Sequence, residues 1–120
     1  MNAYERLLKY VVIRTPSNEE SETTPSSQCQ FDLANVLKKE MEELGICDVT
    51  LTDTCFLYGK IPATPGCENA PAIGFIAHMD TVSDYCDHDI KPMITENYDG
   101  EALALGESEL VLSPEMFPHL

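Results

Sequence analysis

The run Ala72-Ile73-Gly74-Phe75-Ile76-Ala77 constrains this chain most, because it is apolar at odd and even positions alike. A strand with one wet face alternates polar and apolar residues, so a run without alternation asks for cover on both faces. That requirement predicts an α/β fold in which helices pack on both sides of a mixed, largely parallel sheet. His78-Met79-Asp80 follows at once and puts an imidazole and a carboxylate at the carboxyl end of the expected strand. Ligands of open α/β sheets bind in the crevice at such ends.

Covering helices are legible upstream. Tyr4, Leu7, Leu8, Val11 and Val12 repeat with the spacing of one helix face. Asn2 can cap the start, and Thr15-Pro16 bars continuation because a residue before proline leaves the helical region. Ser17 to Ser26 carries Glu19, Glu20 and Glu22 and no large apolar residue, which reads as a solvated loop. A second helix is expected from Thr24-Pro25, with Thr24 as cap and Pro25 in the first position; Ser27 and Gln30 offer an alternative capping box. Leu33, Leu37, Met41 and Leu44 share its apolar face, Lys38, Lys39, Glu40, Glu42 and Glu43 its wet side, and Gly45 its left-handed end.

Val49 and Leu51 alternate with Thr50 and Thr52 in a half-buried strand, and Phe56, Tyr58 and Ile61 form a second run closed by Pro62. Thr64-Pro65-Gly66 is a turn, and shorter extended pieces are expected at 93–95, 102–105 and 110–112. Ser113-Pro114-Glu115 opens a helix with only five residues after it, as expected of a piece of a longer domain.

Charge narrows the functional classes. Seven Lys and Arg against 21 Asp and Glu give −14, and no basic cluster exceeds Lys38-Lys39. Nucleic acid and anionic membrane surfaces are therefore unsuitable partners. No run approaches the ~18 apolar residues of a membrane span. Met1 to Arg6 shows neither a basic nor an apolar signal region, so a cytoplasmic protein is expected. Cys29, Cys47, Cys55, Cys67 and Cys86 are odd in number and form no C-x-x-C pair. Free, mostly buried thiols fit better than a disulfide framework or zinc ribbon.

His78 and Asp80 carry the chemistry. On an extended chain they point to the same face, so Asp80 can accept a hydrogen bond from one imidazole nitrogen while the other binds a metal. The plainer alternative is a solvent-facing histidine at a strand end. One histidine and one carboxylate also fall short of the three protein ligands of a catalytic zinc. Cys86-Asp87-His88 reads as an exposed acidic loop, because successive residues cannot all face one ion without a tight turn. Glu19-Glu20 lies in the polar loop, Glu42-Glu43 on a solvated helix face, and His119 has no metal-ligand motif around it.

Gly74-Phe75-Ile76-Ala77-His78-Met79-Asp80-Thr81 resembles the first zinc motif of the peptidase T family. Glu19 to Ser26, Asn97-Tyr98-Asp99-Gly100, Leu105-Gly106-Glu107 and Leu112 to Pro118 resemble further segments of that family, in its order. Val82-Ser83 departs from the Ser-Pro expected after the motif. The resemblance implies a zinc-dependent tripeptide aminopeptidase acting on small peptides. It makes His78 a ligand to one of two zinc ions and Asp80 the catalytic-site carboxylate that orients it. It further implies a bridging aspartate, a Glu-Glu pair supplying the general base, and a further aspartate and histidine. None of these is found after His78. Residues 1–120 would then be the amino-terminal part of the catalytic domain, without the second, smaller domain, and inactive alone. The alternatives are a catalytically inactive acidic interaction module or truncated gene product, and a related zinc exopeptidase or deacylase of different specificity.

Overall fold

The computed structural model describes residues 1–86 and 88–119, in two units, Met1–Ile90 and Lys91–Leu120. It mixes helix and strand as expected. Both strand pairs among the described residues are antiparallel, and the parallel contact is one isolated bridge between Pro16 and Thr81.

Helix α1 spans Ala3–Tyr10 with Asn2 as N-cap, whose N–H donates to Glu5 Oε2 at 2.6 Å. It ends a turn before Thr15-Pro16. Its apolar side is largely uncovered, with Tyr4 and Leu7 more than half exposed. What ties α1 down is polar. Arg6 Nη1 lies 2.6 Å from Glu40 Oε2, Lys9 Nζ lies 3.6 Å from Glu40 Oε1, and the Tyr10 hydroxyl donates to Glu40 Oε2. The Tyr10 hydrogen bond first, and then Arg6, hold the Glu40 carboxyl below its ordinary range against the opposing push of burial. Burial first, and then Glu40, push the Tyr10 phenol up.

Helix α2 spans Gln30–Glu43, several residues later than the Thr24-Pro25 start that the sequence suggests. Its N-cap is Cys29, and neither Thr24 nor Ser27 caps it through a side chain. The loop before it is occupied instead by its own local bonds: Ser26 Oγ accepts from the Asn18 N–H at 3.1 Å and from Gln30 Nε2 at 3.2 Å. Serine hydroxyls engaged this way compete with helix formation. The far end follows expectation. Gly45 takes φ +78°, the Ile46 N–H reaches the Met41 carbonyl at 3.0 Å, and the Gly45 N–H reaches that of Glu42 at 3.0 Å. These are the paired bonds of a Schellman stop.

The chain then forms a hairpin of β1 (Cys47–Leu51) and β2 (Leu57–Lys60), on which α2 packs. Asp48 at φ +53° marks a bulge between the Cys47–Lys60 and Thr50–Tyr58 pairs. At the tip, Cys55 adopts φ +64°, and Thr52 holds Phe56 through the Thr52 N–H to the Phe56 carbonyl and the Phe56 N–H to Thr52 Oγ1, both 2.9 Å. Burial pushes the Cys55 thiol up. The expectation of mostly buried cysteines is corrected: Cys55 is buried, Cys29 and Cys86 are half-buried, and Cys47 and Cys67 are exposed. The core is correspondingly small, formed of Leu33, Ala34, Cys55, Pro16 and Pro25 with the polar Thr15 and Gln30. Gly59 is where the helix end meets the hairpin most closely; a Cβ there would fall 2.4 Å from Met41 Cε and 2.6 Å from Ile46 Cγ2.

Residues 71–80 form no strand, contrary to the expectation from their composition, and Phe75 and Ile76 are 95% and 100% exposed. A strand is stabilised by a neighbouring ladder and by side-chain cover. The described residues pair the segment only beyond its end, at Thr81. A short helix, α3 (Ser83–Cys86), follows.

In the second unit, β3 (Leu103–Ala104) pairs with β4 (Val111–Leu112), matching two of the three short extended pieces; 93–95 is not a strand. Ser113 receives the Phe117 N–H on its carbonyl at 2.9 Å, closing a turn over 114–116; the helix that Ser113-Pro114-Glu115 suggests does not form among the described residues.

Two outcomes test this packing. A carboxyl lowered on folding contributes stability above its ordinary value of 4.5, and that contribution is lost as pH falls through the lower folded value. Glu40→Gln should therefore reduce the thermal midpoint near neutral pH and flatten its decline in acid. Gly59→Ala should cost about 1–3 kcal/mol by overfilling the helix–hairpin contact, seen as a lower denaturant midpoint; an unchanged midpoint would show that Met41 and Ile46 yield freely.

Candidate functional site

His78 and Asp80 meet, as their spacing of two suggests, although residues 71–80 form no strand. His78 Nδ1 lies 3.2 Å from Asp80 Oδ1, with the side chains 83% and 45% exposed. An ionised carboxylate only accepts, so a hydrogen bond here needs the proton on Nδ1, and a neutral His78 in that tautomer carries its lone pair on Nε2. The two meet here without a sheet ladder along their own segment.

What fixes the motif in place comes directly after it. The Thr81 N–H donates to the Thr15 carbonyl at 2.9 Å, and the Ser17 N–H donates to the Thr81 carbonyl at 2.8 Å. Ser17 Oγ adds a bond to the same carbonyl at 3.1 Å, and the Thr15 and Thr81 hydroxyls lie 3.4 Å apart. Gln30 Nε2 reaches the Pro16 carbonyl at 3.3 Å, joining this strap to the first turn of α2. Thr15 is 2% exposed, so its polar groups are buried with partners. Sequence reasoning treated Thr15-Pro16 as a helix stop and Ser17 as the start of a loop. The available signal was the threonine ending H-x-D-T, but its partner more than sixty residues upstream carries no local pattern.

An open groove of about 700 Å³ runs beside the motif, with His78, Asp80, Thr24, Gln30, Phe56 and Tyr58 among its lining residues. Phe56 and Tyr58 stack at 6.4 Å between ring centroids, and each is more than half exposed. They present apolar surface in the groove that His78 also lines, whereas periodicity assigns them only to an extended run.

The other candidates stay apart. Glu19, Glu20, Glu42 and Glu43 are exposed, and Lys39 pairs with Glu43 at 3.8 Å. Of Cys86-Asp87-His88, Asp87 lies outside the described residues; Cys86 ends α3 and His88 is exposed. His119 meets Phe117 edge-on at 6.1 Å in the second unit. Among the described residues no group of three or more His, Cys, Asp or Glu is arranged to hold a metal ion. His78 backed by Asp80 fits the part of one zinc ligand with its orienting carboxylate, and the remaining ligands are not among these side chains. No helix among the described residues is long and apolar enough to cross a membrane.

What the described residues bring together is one histidine in contact with one carboxylate beside an open groove. Comparison with known proteins gives the particular resemblance. The chain is 44% identical over 121 aligned positions to a protein named Peptidase T from Alkaliphilus oremlandii, covering 99% of this chain and 30% of the relative. It is 49% identical over 117 positions to a Peptidase T of Desulfitobacterium hafniense and 45% over 116 positions to one of Shewanella sediminis, each covering 97% of this chain and 28% of the relative. No protein-family model matches the chain. The resemblance to peptidase T read from the motifs thus extends over essentially the whole chain, which spans under a third of the length of these curated relatives.

With one histidine ligand available, zinc should bind the 120-residue chain weakly, shifting the His78 ring signals in an NMR titration. His78→Ala should remove that response, and a tight stoichiometric site surviving the change would show that other side chains hold the metal.

Proposed function

We propose that these residues are the first part of the catalytic domain of a zinc-dependent tripeptide aminopeptidase. In the longer protein, the domain would have the three-layer helix–sheet–helix form that the doubly apolar run 72–77 calls for. The observation that carries the reading is the His78–Asp80 contact at 3.2 Å within an H-x-D-T motif, on a chain 41–49% identical to proteins named Peptidase T.

His78 would hold the metal through Nε2, and Asp80 would fix its tautomer and ring orientation through Nδ1 while raising its basicity. When bound, zinc would polarise the scissile carbonyl and lower the pKa of an attacking water. The groove beside His78 would admit the peptide, with Phe56 and Tyr58 presenting apolar surface to its side chains. A second, smaller domain and the remaining ligands belong to the longer protein in this reading. With His78 and Asp80 alone, the 120 residues would not hydrolyse peptides. The −14 charge suits small uncharged or cationic peptides better than nucleic acid, and the protein would work in the cytoplasm.

The test is a chimera in which these 120 residues replace the corresponding part of the Desulfitobacterium hafniense Peptidase T. It should cleave tripeptides in preference to dipeptides and acylated amino acids, His78→Ala should abolish turnover, and Asp80→Asn should lower it by about 10–100-fold. A chimera that folds but turns over only acylated amino acids would replace this reading with that of a related deacylase. Full activity after His78→Ala would overturn it.

A further inference from the structure

We propose that the strap Thr15-Pro16-Ser17, joined to Thr81, is the positioning element of the His78–Asp80 pair, and that it acts by setting the tautomer of His78. The significance for catalysis rests on the peptidase reading above, but the device itself does not. His78 and Asp80 lie in a segment with no strand ladder, and His78 is 83% exposed. Nothing from residue 71 to 80 is buried, so packing alone does not choose the conformation in which the two side chains meet.

The first fixed point is Thr81, adjacent to Asp80. Its N–H and its carbonyl are both engaged, by the Thr15 carbonyl at 2.9 Å and the Ser17 N–H at 2.8 Å. That pair of bonds is one rung of a parallel ladder, and it sets the backbone direction at Thr81 from both sides of the residue. The strap is in turn held by buried Thr15 and by Gln30, whose amide binds the Pro16 carbonyl at 3.3 Å from within α2. Thus α2 holds the strap, the strap orients Thr81, and Thr81 aims the carboxylate preceding it at the imidazole. Thr15, Ser17 and Thr81 are positioning residues; they act through Asp80.

Nitrogen-15 NMR of the His78 ring tests this in the full chain without metal or turnover, at a pH where the imidazole is neutral. The wild-type chain should show the Nδ1–H form, and Asp80→Asn marks the signal position when the carboxylate brace is lost. Ser17→Pro deletes the N–H donated to Thr81 and should move the ring signals toward the Asp80→Asn position, with faster amide exchange at Thr81. Ser17→Ala keeps that N–H and should remain near wild type. Glu40→Gln, which weakens the contact between α1 and the far end of α2 and touches no bond of the strap, should leave the tautomer unchanged.

A Ser17→Pro chain with fast Thr81 exchange but the wild-type tautomer overturns the proposal. So does a Glu40→Gln shift as large as that of Ser17→Pro, since the effect would then be general loosening. If Ser17→Pro does not fold, Gln30→Leu removes the amide that holds the Pro16 carbonyl and so loosens the strap. Faster Thr81 amide exchange with a shift toward the Asp80→Asn position then supports the strap, and faster exchange with the wild-type tautomer overturns it. Because neither zinc nor peptide enters the measurement, the strap can fail while the chimera remains active, and the reverse.

Discussion

The first unit is organised around two backbone hydrogen bonds at Thr81, the contact that returns the chain to the segment following its first helix. Between Ser17 and Thr81 lie the polar loop, α2, the hairpin and the extended segment, so this rung closes a loop of more than sixty residues. Closing so long a loop costs configurational entropy that grows only slowly with length, and a few bonds in a buried setting can hold it. Thr15 at 2% exposure and Gln30 at 8% provide that setting. Polar side chains in the core are tolerated because each has a partner: among the described residues no buried side-chain nitrogen or oxygen lacks one.

The helix α2 serves two purposes through its two ends. Its first turn supplies Gln30 to the Pro16 carbonyl, and its last turn folds over Gly59 through Met41 and Ile46. Between them Leu33 and Ala34 bury the helix face against the interior, while Glu40 on the other side gathers Arg6, Lys9 and Tyr10 of α1. One carboxylate with three partners does for α1 what apolar burial does for α2. The arrangement suits a chain with three acidic residues for each basic one, because it gathers scarce cations where a helix lacks apolar cover.

Much of this was legible because it is local. The Asn2 cap, the Gly45 stop, the hairpin strands, the Thr64-Pro65-Gly66 turn with the Cys67 N–H on the Thr64 carbonyl at 2.9 Å, and the His78–Asp80 contact follow from residues a few positions apart. The start of α2 was misread because Thr24-Pro25 matches a helix-opening pattern, while the decisive competition came from Ser26, bonded to Asn18 and Gln30. The run 72–77 was misread for a different reason. Its composition reports what a strand would need around it, and the described residues do not supply those neighbours. Thr15 and Ser17 as partners of Thr81 were illegible, since a single rung between distant residues leaves no period in the sequence.

The exposure of Phe75 and Ile76 has a consequence for the lifetime of the chain in a cell. Endoproteases bind their substrates as extended strands, and here a backbone in no helix or strand presents an aromatic and a β-branched side chain without cover. Cleavage at that point needs no prior unfolding, unlike cleavage within α2 or the hairpin, where backbone bonds must first open. The break would fall two or three residues before His78, leaving the site on one product and α1, α2 and the hairpin on the other, held together among the described residues by the backbone bonds at Thr81. Cover over Phe75 and Ile76, of the kind a neighbouring strand or helix gives, is what would close this point to a protease.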